Sequence, residues 1–218
     1  KSLTYELFGY NLDEEEEQYW SPDKLAVFLA RRLATDANSP LRGRILVAPK
    51  KDDALSRISA GTSWKVSTAV AVEGVMRLFT SNPKKDTTNL LDGERKKRQA
   101  LLSLRKDKSP LRQAYLESQD AVIYTMVLNF LLACESSFWK GAQPGSFITK
   151  TVGIQALFDI LRLLAEKAYE QRDISVKYFS DQLREAGGID FSGDEFRNAS
   201  GSGRAAIKNA IASAIGLK

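Results

Sequence analysis

Apolar residues recur at helical spacing over most of this chain. The clearest example follows Ser21-Pro22-Asp23, where Ser is a favourable cap, Pro suits the first helical position and Asp complements the helix dipole. Leu25, Phe28, Leu29 and Leu33 then form one apolar stripe. The same reasoning predicts further helices over residues 67–79, 94–104, 110–138, 152–171, 173–186 and 204–215, with Asp173 or Ser175 opening the helix that ends near 186.

Only a short part of the chain favours β-structure. Residues 41–47 are β-branched toward their end and predict a strand, and Ile58-Ser59 is a second, weaker candidate. The predicted fold class is therefore mainly α, a multi-helix globular bundle with a small β element near residues 41–60. The chain is treated as a single domain, 1–218, with a possible subdivision into 1–80 and 110–218 joined by a basic segment, 81–109.

The segment 121–138 is almost entirely apolar and predicts the central buried helix. Its 18 residues include Asn129, Cys134 and Glu135, which favours a core helix over a membrane span. No leader peptide is recognisable at the start of the sequence.

The chain contains no histidine and one cysteine, Cys134. The usual general base at neutral pH and the commonest zinc ligand are therefore missing, and no Ser-His or Cys-His pair can form. Mg²⁺ held by carboxylates stays open, but no carboxylate pair indicates a metal site, and no cofactor is expected. Cys134 lies in an apolar pattern, which predicts a buried, inert thiol and favours a reducing, cytoplasmic setting.

Charge is distributed unevenly along the sequence. Residues 13–17 read Asp-Glu-Glu-Glu-Glu, whereas residues 84–112 hold ten Lys or Arg against four acids. A basic face of this kind can bind the DNA backbone, although a solvated helix has the same composition. The candidate DNA-backbone residues are Lys84, Lys85, Arg95, Lys96, Lys97, Arg98, Arg105 and Lys106, with Arg42 and Arg44 as a smaller spot that could instead pair with the acidic run.

Two predicted helix starts combine hydroxyls, glycines and one cation. A helix N-terminus of this composition can hold an anion, so phosphate is a possible ligand of Thr149, Lys150, Thr151, Ser202 and Arg204. The spacing is not that of a Walker loop. Simple helix capping, with Thr as the N-cap at the first site, is the favoured interpretation.

Two other features have ordinary structural explanations. Asp92-Gly93 is typical of a turn that opens a solvent-facing helix. Trp20, Trp64 and Trp139 could stack on bases, but tryptophans at helix ends are more often part of the core.

Four short motifs follow one another in an order that resembles a known family. They are Ser39-Pro40-Leu41-Arg42-Gly43-Arg44-Ile45, the segment 118–130 followed by Trp139, the segment 147–157, and Ser200-Gly201-Ser202-Gly203-Arg204. In this order they resemble the C-terminal helical half of DGQHR-domain (DndB-like) proteins, which are associated with DNA phosphorothioation systems.

The resemblance covers only part of the family's proteins, which limits the family properties that can be expected of this chain. The Asp-Gly-Gln-His-Arg loop of the family lies in a ParB-like domain upstream of these motifs, and this chain has no histidine. The resemblance therefore implies a fragment or shortened relative that carries the helical portion, with no catalytic residue transferred. It implies a link to bacterial DNA modification or phage defence.

Three functions follow from these observations. The leading one is a non-catalytic, DNA-associated regulatory or accessory module of such a system. The second is a protein–protein scaffold that meets an acidic partner, another defence-system protein or its own upstream ParB-like domain. The third is a nucleotide- or phosphate-binding enzyme.

Overall fold

The computed structural model describes residues 18–46, 61–103, 107–197 and 201–217. These residues are mainly helical with one small parallel sheet, which confirms the predicted fold class. In chain order the elements are α1 (Pro22–Thr35), β1 (Ile45–Leu46), β2 (Val66–Ser67), α2 (Thr68–Met76), α3 (Pro83–Leu91), α4 (Arg112–Leu116), α5 (Asp120–Cys134), α6 (Thr151–Glu170), α7 (Val176–Leu183) and α8 (Ser202–Ala214).

Helix α1 begins where the sequence predicts. The Ser21 side chain accepts a hydrogen bond from the Lys24 amide, and Pro22 occupies the first helical position. Leu25, Leu29 and Leu33 are fully or almost fully buried. Capping at one end and burial of one stripe together explain the position of this helix. Helix α7 follows the same rule, with Ser175 as its cap.

In the described residues the β element is a sheet of two short strands, the second of which lies after residue 60. Strand β1 pairs with β2 in parallel, with Ile45 opposite Val66 and Leu46 opposite Ser67. The second predicted strand, at Ile58-Ser59, lies outside the described residues. Because β2 leads directly into α2, the sheet fixes where α2 begins against α1 and α6.

Helix α5 lies in the core. Nine of its residues are buried, among them Met126, Phe130 and Cys134, and a π-helical turn, Glu135–Trp139, continues it. By length and composition alone, Asp120–Trp139 is the one stretch among the searched, described residues that could cross a membrane. Half of its most apolar 18-residue window is buried within the protein, and an apolar core helix passes the same test.

The prediction for the basic segment was wrong in detail. The helix there is α3, which Asn82 caps by accepting from the Lys85 amide. The expected helix over 94–104 is only a short 3₁₀ turn at Arg98–Ser103, and residues 104–106 lie outside the described part of the chain. The helix predicted from Pro110 is the bent pair α4 and α5, separated at Ser118, which has a φ of 56°.

The C-terminal helices complete the same hydrophobic cluster, which runs from Trp20 to Ala212. Helix α8 packs on α6, and α7 packs on α5. Phe130 and Phe179 meet edge to face with ring centroids 5.5 Å apart. Trp20 and Trp139 are buried and Trp64 packs against the cluster, as expected of core tryptophans.

Candidate functional site

Exposed cations lie at both ends of α3. Lys84 and Lys85 are in its first turn, and Arg95, Lys96 and Lys97 follow its last turn. The amide of Lys96 donates to the carbonyl of Leu90 at 2.9 Å, so the second group folds back on the helix end. Nine residues of α3 span about 13 Å. We call the five exposed cations, Lys84, Lys85, Arg95, Lys96 and Lys97, the basic surface.

Arg98 belongs to the same run in sequence but not to this surface. Its side chain is fully buried, and its guanidinium forms two hydrogen bonds with the Asp120 carboxylate, at 2.6 and 2.9 Å. It also donates to the carbonyl oxygens of Trp20 and Tyr115. A side chain without solvent access cannot reach a phosphate, so the DNA-contact assignment of Arg98 is corrected to a structural one.

A second buried ion pair connects α3 to α4. Arg112 of α4 contacts both carboxylate oxygens of Asp86, at 2.5 and 3.1 Å. Thr80 donates to the same carboxylate at 2.7 Å. Asp86 is 5% exposed, so the pair is largely removed from water. The two buried pairs together fix the backbone on which the basic surface lies.

The first described residues contact the basic surface. The Gln18 carbonyl accepts a hydrogen bond from the Arg98 amide at 2.9 Å. The Arg95 guanidinium lies 5.1 Å from the centre of the Tyr19 ring, and the Lys97 ammonium 5.9 Å. Both distances suit cation–π attraction. The chain that leads into α1 therefore runs along the Arg95–Lys97 segment.

The remaining DNA-backbone candidates, Arg42, Arg44, Arg105 and Lys106, do not belong to the basic surface. Arg42 is exposed, whereas the Arg44 guanidinium stacks 4.4 Å above Trp64 and its Nε donates to the Pro40 carbonyl. Burial lowers the pKa of Arg44, and the negative charge of Glu135 opposes that shift. Arg105 and Lys106 lie outside the described residues.

The first candidate anion site is occupied by the protein's own backbone. The cap position of α6 is Lys150, and no side chain caps the helix there, so the expectation that Thr is the cap was wrong. Thr149 is buried and donates to the Ser146 carbonyl. A methyl group at Gly153 would lie 2.4 Å from the carbonyl oxygens of Phe147 and Ile148. Glycine is thus needed because two carbonyls, not an anion, approach this turn. Lys150 and Thr151 are exposed.

At the second candidate anion site, Arg204 forms ion pairs with acidic side chains of the same protein. Arg204 contacts both oxygens of Asp159 at 2.6 Å, and this hydrogen bonding is the main reason that its pKa is raised. Arg77 lies 3.5 Å from both Asp159 and Glu73, and Arg204 is 4.0 Å from Glu73. The four side chains form a ring of alternating charge across α2, α6 and α8. Ser202 is exposed at the start of α8.

The small cleft beside this ring does not join the two candidate sites. Residues Glu73, Arg77, Asp159, Arg162 and Arg204 line it, and Lys150 is not among its lining residues. No group of three metal-binding side chains occurs among the described residues. Burial raises the pKa of the Cys134 thiol well above its ordinary value, which agrees with the expectation of an inert thiol.

Sequence reasoning identified the cations of the basic surface but missed what holds them. Arg98 and Asp120 are 22 residues apart, and Arg112 and Asp86 are 26 apart, so no local pattern connects them. The cap of α3 carried a usable signal in Asn82-Pro83.

Comparisons with protein-family models, with curated proteins and with solved structures gave no match.

Proposed function

We propose that this protein is a non-catalytic, DNA-associated accessory or regulatory module that binds the phosphate backbone through the basic surface. The observation that carries the proposal is a set of five exposed cations on a segment held by two buried ion pairs. A rigid attachment limits the freedom that such side chains would lose on binding. The link to bacterial DNA modification or phage defence rests on the sequence resemblance to DGQHR-domain proteins.

Binding of this type has a defined salt dependence. Each neutralised phosphate contributes about −0.9 to the slope of log K against log salt concentration. Five contacts therefore predict a slope of about −4 to −5, and an affinity loss of roughly two to three orders of magnitude between 50 and 200 mM salt. No base preference is expected, because backbone contacts carry no sequence information.

The test is a fluorescence-anisotropy titration of two duplexes with unrelated sequences over a range of salt concentrations. The double charge reversal Lys96→Glu and Lys97→Glu should weaken binding to both duplexes equally and reduce the salt slope. The control reverses two exposed lysines elsewhere, Lys140→Glu and Lys167→Glu, with the same change in net charge. Binding that is absent, independent of salt, or equally weakened by the control contradicts the proposal.

A protein partner is the second candidate. Leu91 and Leu102 are 60% and 61% exposed and lie on either side of Arg95–Lys97 in the sequence. Apolar side chains beside cations suit an acidic protein surface, such as an upstream ParB-like domain, better than a DNA backbone. Light scattering of the chain mixed with such a domain tests this. A complex that is weakened both by Lys96→Glu with Lys97→Glu and by Leu91→Ser would favour the scaffold, because binding to a DNA backbone needs only the lysines.

A further inference from the structure

A cleft of about 620 Å³ opens between the turn that joins α4 to α5 and the loop that joins α6 to α7. Its volume lies within the range of small-molecule sites. Val122, Tyr169 and Ile174 are half-buried and give it apolar surface. The residues that line it with charged or amide groups are Glu117, Gln119, Glu170 and Arg172. The cleft therefore combines an apolar wall with charges of both signs.

Hydrogen bonds hold the two sides of the cleft together. The Tyr169 hydroxyl donates to Oε1 of Gln119 at 2.8 Å, and Nε2 of Gln119 donates to Oε2 of Glu117 at 2.7 Å. On the other side, Nδ2 of Asn129 in α5 donates to the Ile174 carbonyl at 2.8 Å. The walls are thus fixed before any ligand arrives, which lowers the entropy that binding loses.

Two charged residues of the cleft are unfavourable for the fold by itself. Glu170 is the last residue of α6, where the negative end of the helix dipole disfavours a carboxylate. Arg172 has a φ of 54°, a conformation that favours glycine. Neither side chain has an ion-pair partner among the described residues. Residues that break local rules in this way are expected at functional sites.

The opposite wall contains the same kind of backbone strain. Ser118, between Glu117 and Gln119, has a φ of 56°. Within the described part of the chain, Ser118 and Arg172 are the two residues other than glycine that have a positive φ, and they lie on the two sides of one cleft. Strained backbone of this type clusters at ligand-binding sites.

Opposite charges act on a single hydroxyl group in the cleft. Burial is the main cause of the raised pKa of Tyr169, and the negative charge of Glu117 adds to it. The hydrogen bond with Gln119 and the positive charge of Arg172 oppose the shift. A negative and a positive group therefore both lie near the Tyr169 hydroxyl, which suits a ligand that itself carries both charges.

We propose that this cleft binds a small zwitterion of the α-amino-acid class that has a large apolar side chain. The ammonium group of the ligand pairs with Glu170 and its carboxylate with Arg172, as charge-assisted hydrogen bonds. Its side chain covers the apolar surface of Val122, Tyr169 and Ile174. No residue of the basic surface lines the cleft, so the inference is independent of the proposed function.

The first arm of the test compares three probes by NMR titration of the isotope-labelled protein. L-Phenylalanine carries both charges, phenethylamine lacks the carboxylate and phenylpropionate lacks the ammonium group. Each probe is taken to about 20 mM, because a ligand of this size is expected to have a dissociation constant of about 1 mM or below. L-Phenylalanine should shift the amide signals of residues 117–122 and 169–174. It should bind about tenfold more tightly than either of the others, since each of them leaves one charged contact unmade.

The second arm assigns each charge of the ligand to its partner. Arg172→Ala should weaken the binding of L-phenylalanine about tenfold but not that of phenethylamine, which has no carboxylate to lose a contact. Glu170→Gln should likewise weaken L-phenylalanine but not phenylpropionate. The control Arg42→Ala removes an equal charge at an exposed arginine that does not line the cleft. It should leave the affinities for all three probes unchanged.

The variant Arg172→Gly separates binding from folding. Glycine relieves the strained backbone, so the melting temperature should rise. The affinity for L-phenylalanine should nevertheless fall about tenfold, as in Arg172→Ala, because the guanidinium is gone. A protein that folds better and binds worse cannot owe its lost affinity to unfolding.

Selective binding of L-phenylalanine, with losses that follow the charge removed, supports the inference. It is overturned if L-phenylalanine gives no saturable shift, if the shifted signals lie away from the cleft, or if the three probes bind equally. An equal loss of L-phenylalanine and phenethylamine in Arg172→Ala also overturns it. DNA takes part in neither arm, so this result and that of the DNA titration can fail separately.

Discussion

The Arg98 guanidinium and the Asp120 carboxylate form two parallel hydrogen bonds of 2.6 and 2.9 Å in the core of the protein. The pair joins the 3₁₀ turn after α3 to the first residue of α5. Since Arg98 also binds the Trp20 and Tyr115 carbonyls, one side chain connects the start of the described chain, the basic segment and the central helix.

Removal of Arg98 should be strongly destabilising. Arg98→Met leaves the Asp120 carboxylate buried without its partner, and we expect a loss of about 3–5 kcal/mol in the free energy of unfolding, measured with urea. The double variant Arg98→Met and Asp120→Leu should recover part of that loss, because the uncompensated charge is gone. Arg42→Met, at an exposed arginine, is the control and should change stability by less than about 0.5 kcal/mol. Equal effects of Arg98→Met and Arg42→Met would contradict the structural role.

Tyr115 should make stability fall at alkaline pH. Burial is the main cause of its raised pKa, which lies above the ordinary value of 10.0, and the positive charge of Arg98 opposes the shift. Because the folded pKa is raised, the stabilisation is complete below pH 10 and is lost as pH rises toward the folded pKa.

The variant Tyr115→Phe tests this pH dependence. It removes the hydrogen bond from the Tyr115 hydroxyl to the Trp20 carbonyl, which is 2.8 Å long, and should cost about 1 kcal/mol at pH 7. Between pH 9 and 11 the variant should lose less stability than the wild type. Parallel curves of unfolding free energy against pH would contradict the prediction.

Gly153 should not tolerate a side chain. The Cβ of Gly153→Ala would lie 2.4 Å from two backbone carbonyl oxygens, and backbone cannot move aside as a flexible side chain can. We expect a loss of about 1–3 kcal/mol in unfolding free energy. Gly141→Ala is the matched control, because no atom lies within 4 Å of the added methyl group; it should be neutral. A neutral Gly153→Ala would show that the turn before α6 is less closely packed.

Arg172 occupies a position that favours glycine. Its φ is 54°, and the Asp173 amide donates to the Ala168 carbonyl at the end of α6, which is the hydrogen bond of a Schellman cap. Arg172→Gly should raise the unfolding free energy by roughly 0.5 kcal/mol, since glycine adopts this conformation without a Cβ clash. Arg172→Ala keeps the strain and should bring no gain. Calorimetric melting of the three proteins distinguishes these outcomes.

The sequence by itself determined the helical fold and several of its boundaries. Ser21-Pro22 and Ser175 mark helix starts by local hydrogen bonding, and the apolar residues of α5 predict a buried helix whatever surrounds it. These signals act over one or two turns, so they can be read without the tertiary structure. The cap Asn82-Pro83 was such a signal, but the basic first turn of α3, which runs against the helix dipole, obscured it.

Only the tertiary structure decided which cations are available. Arg95, Lys96, Lys97 and Arg98 are equivalent in sequence, yet three are exposed and one is buried. Likewise, Arg204 is bound by Asp159, which lies 45 residues away in the sequence, so no local pattern marks it as a paired cation. The free energy of a buried charge depends on the partner that the fold places beside it, and that partner comes from a distant part of the chain.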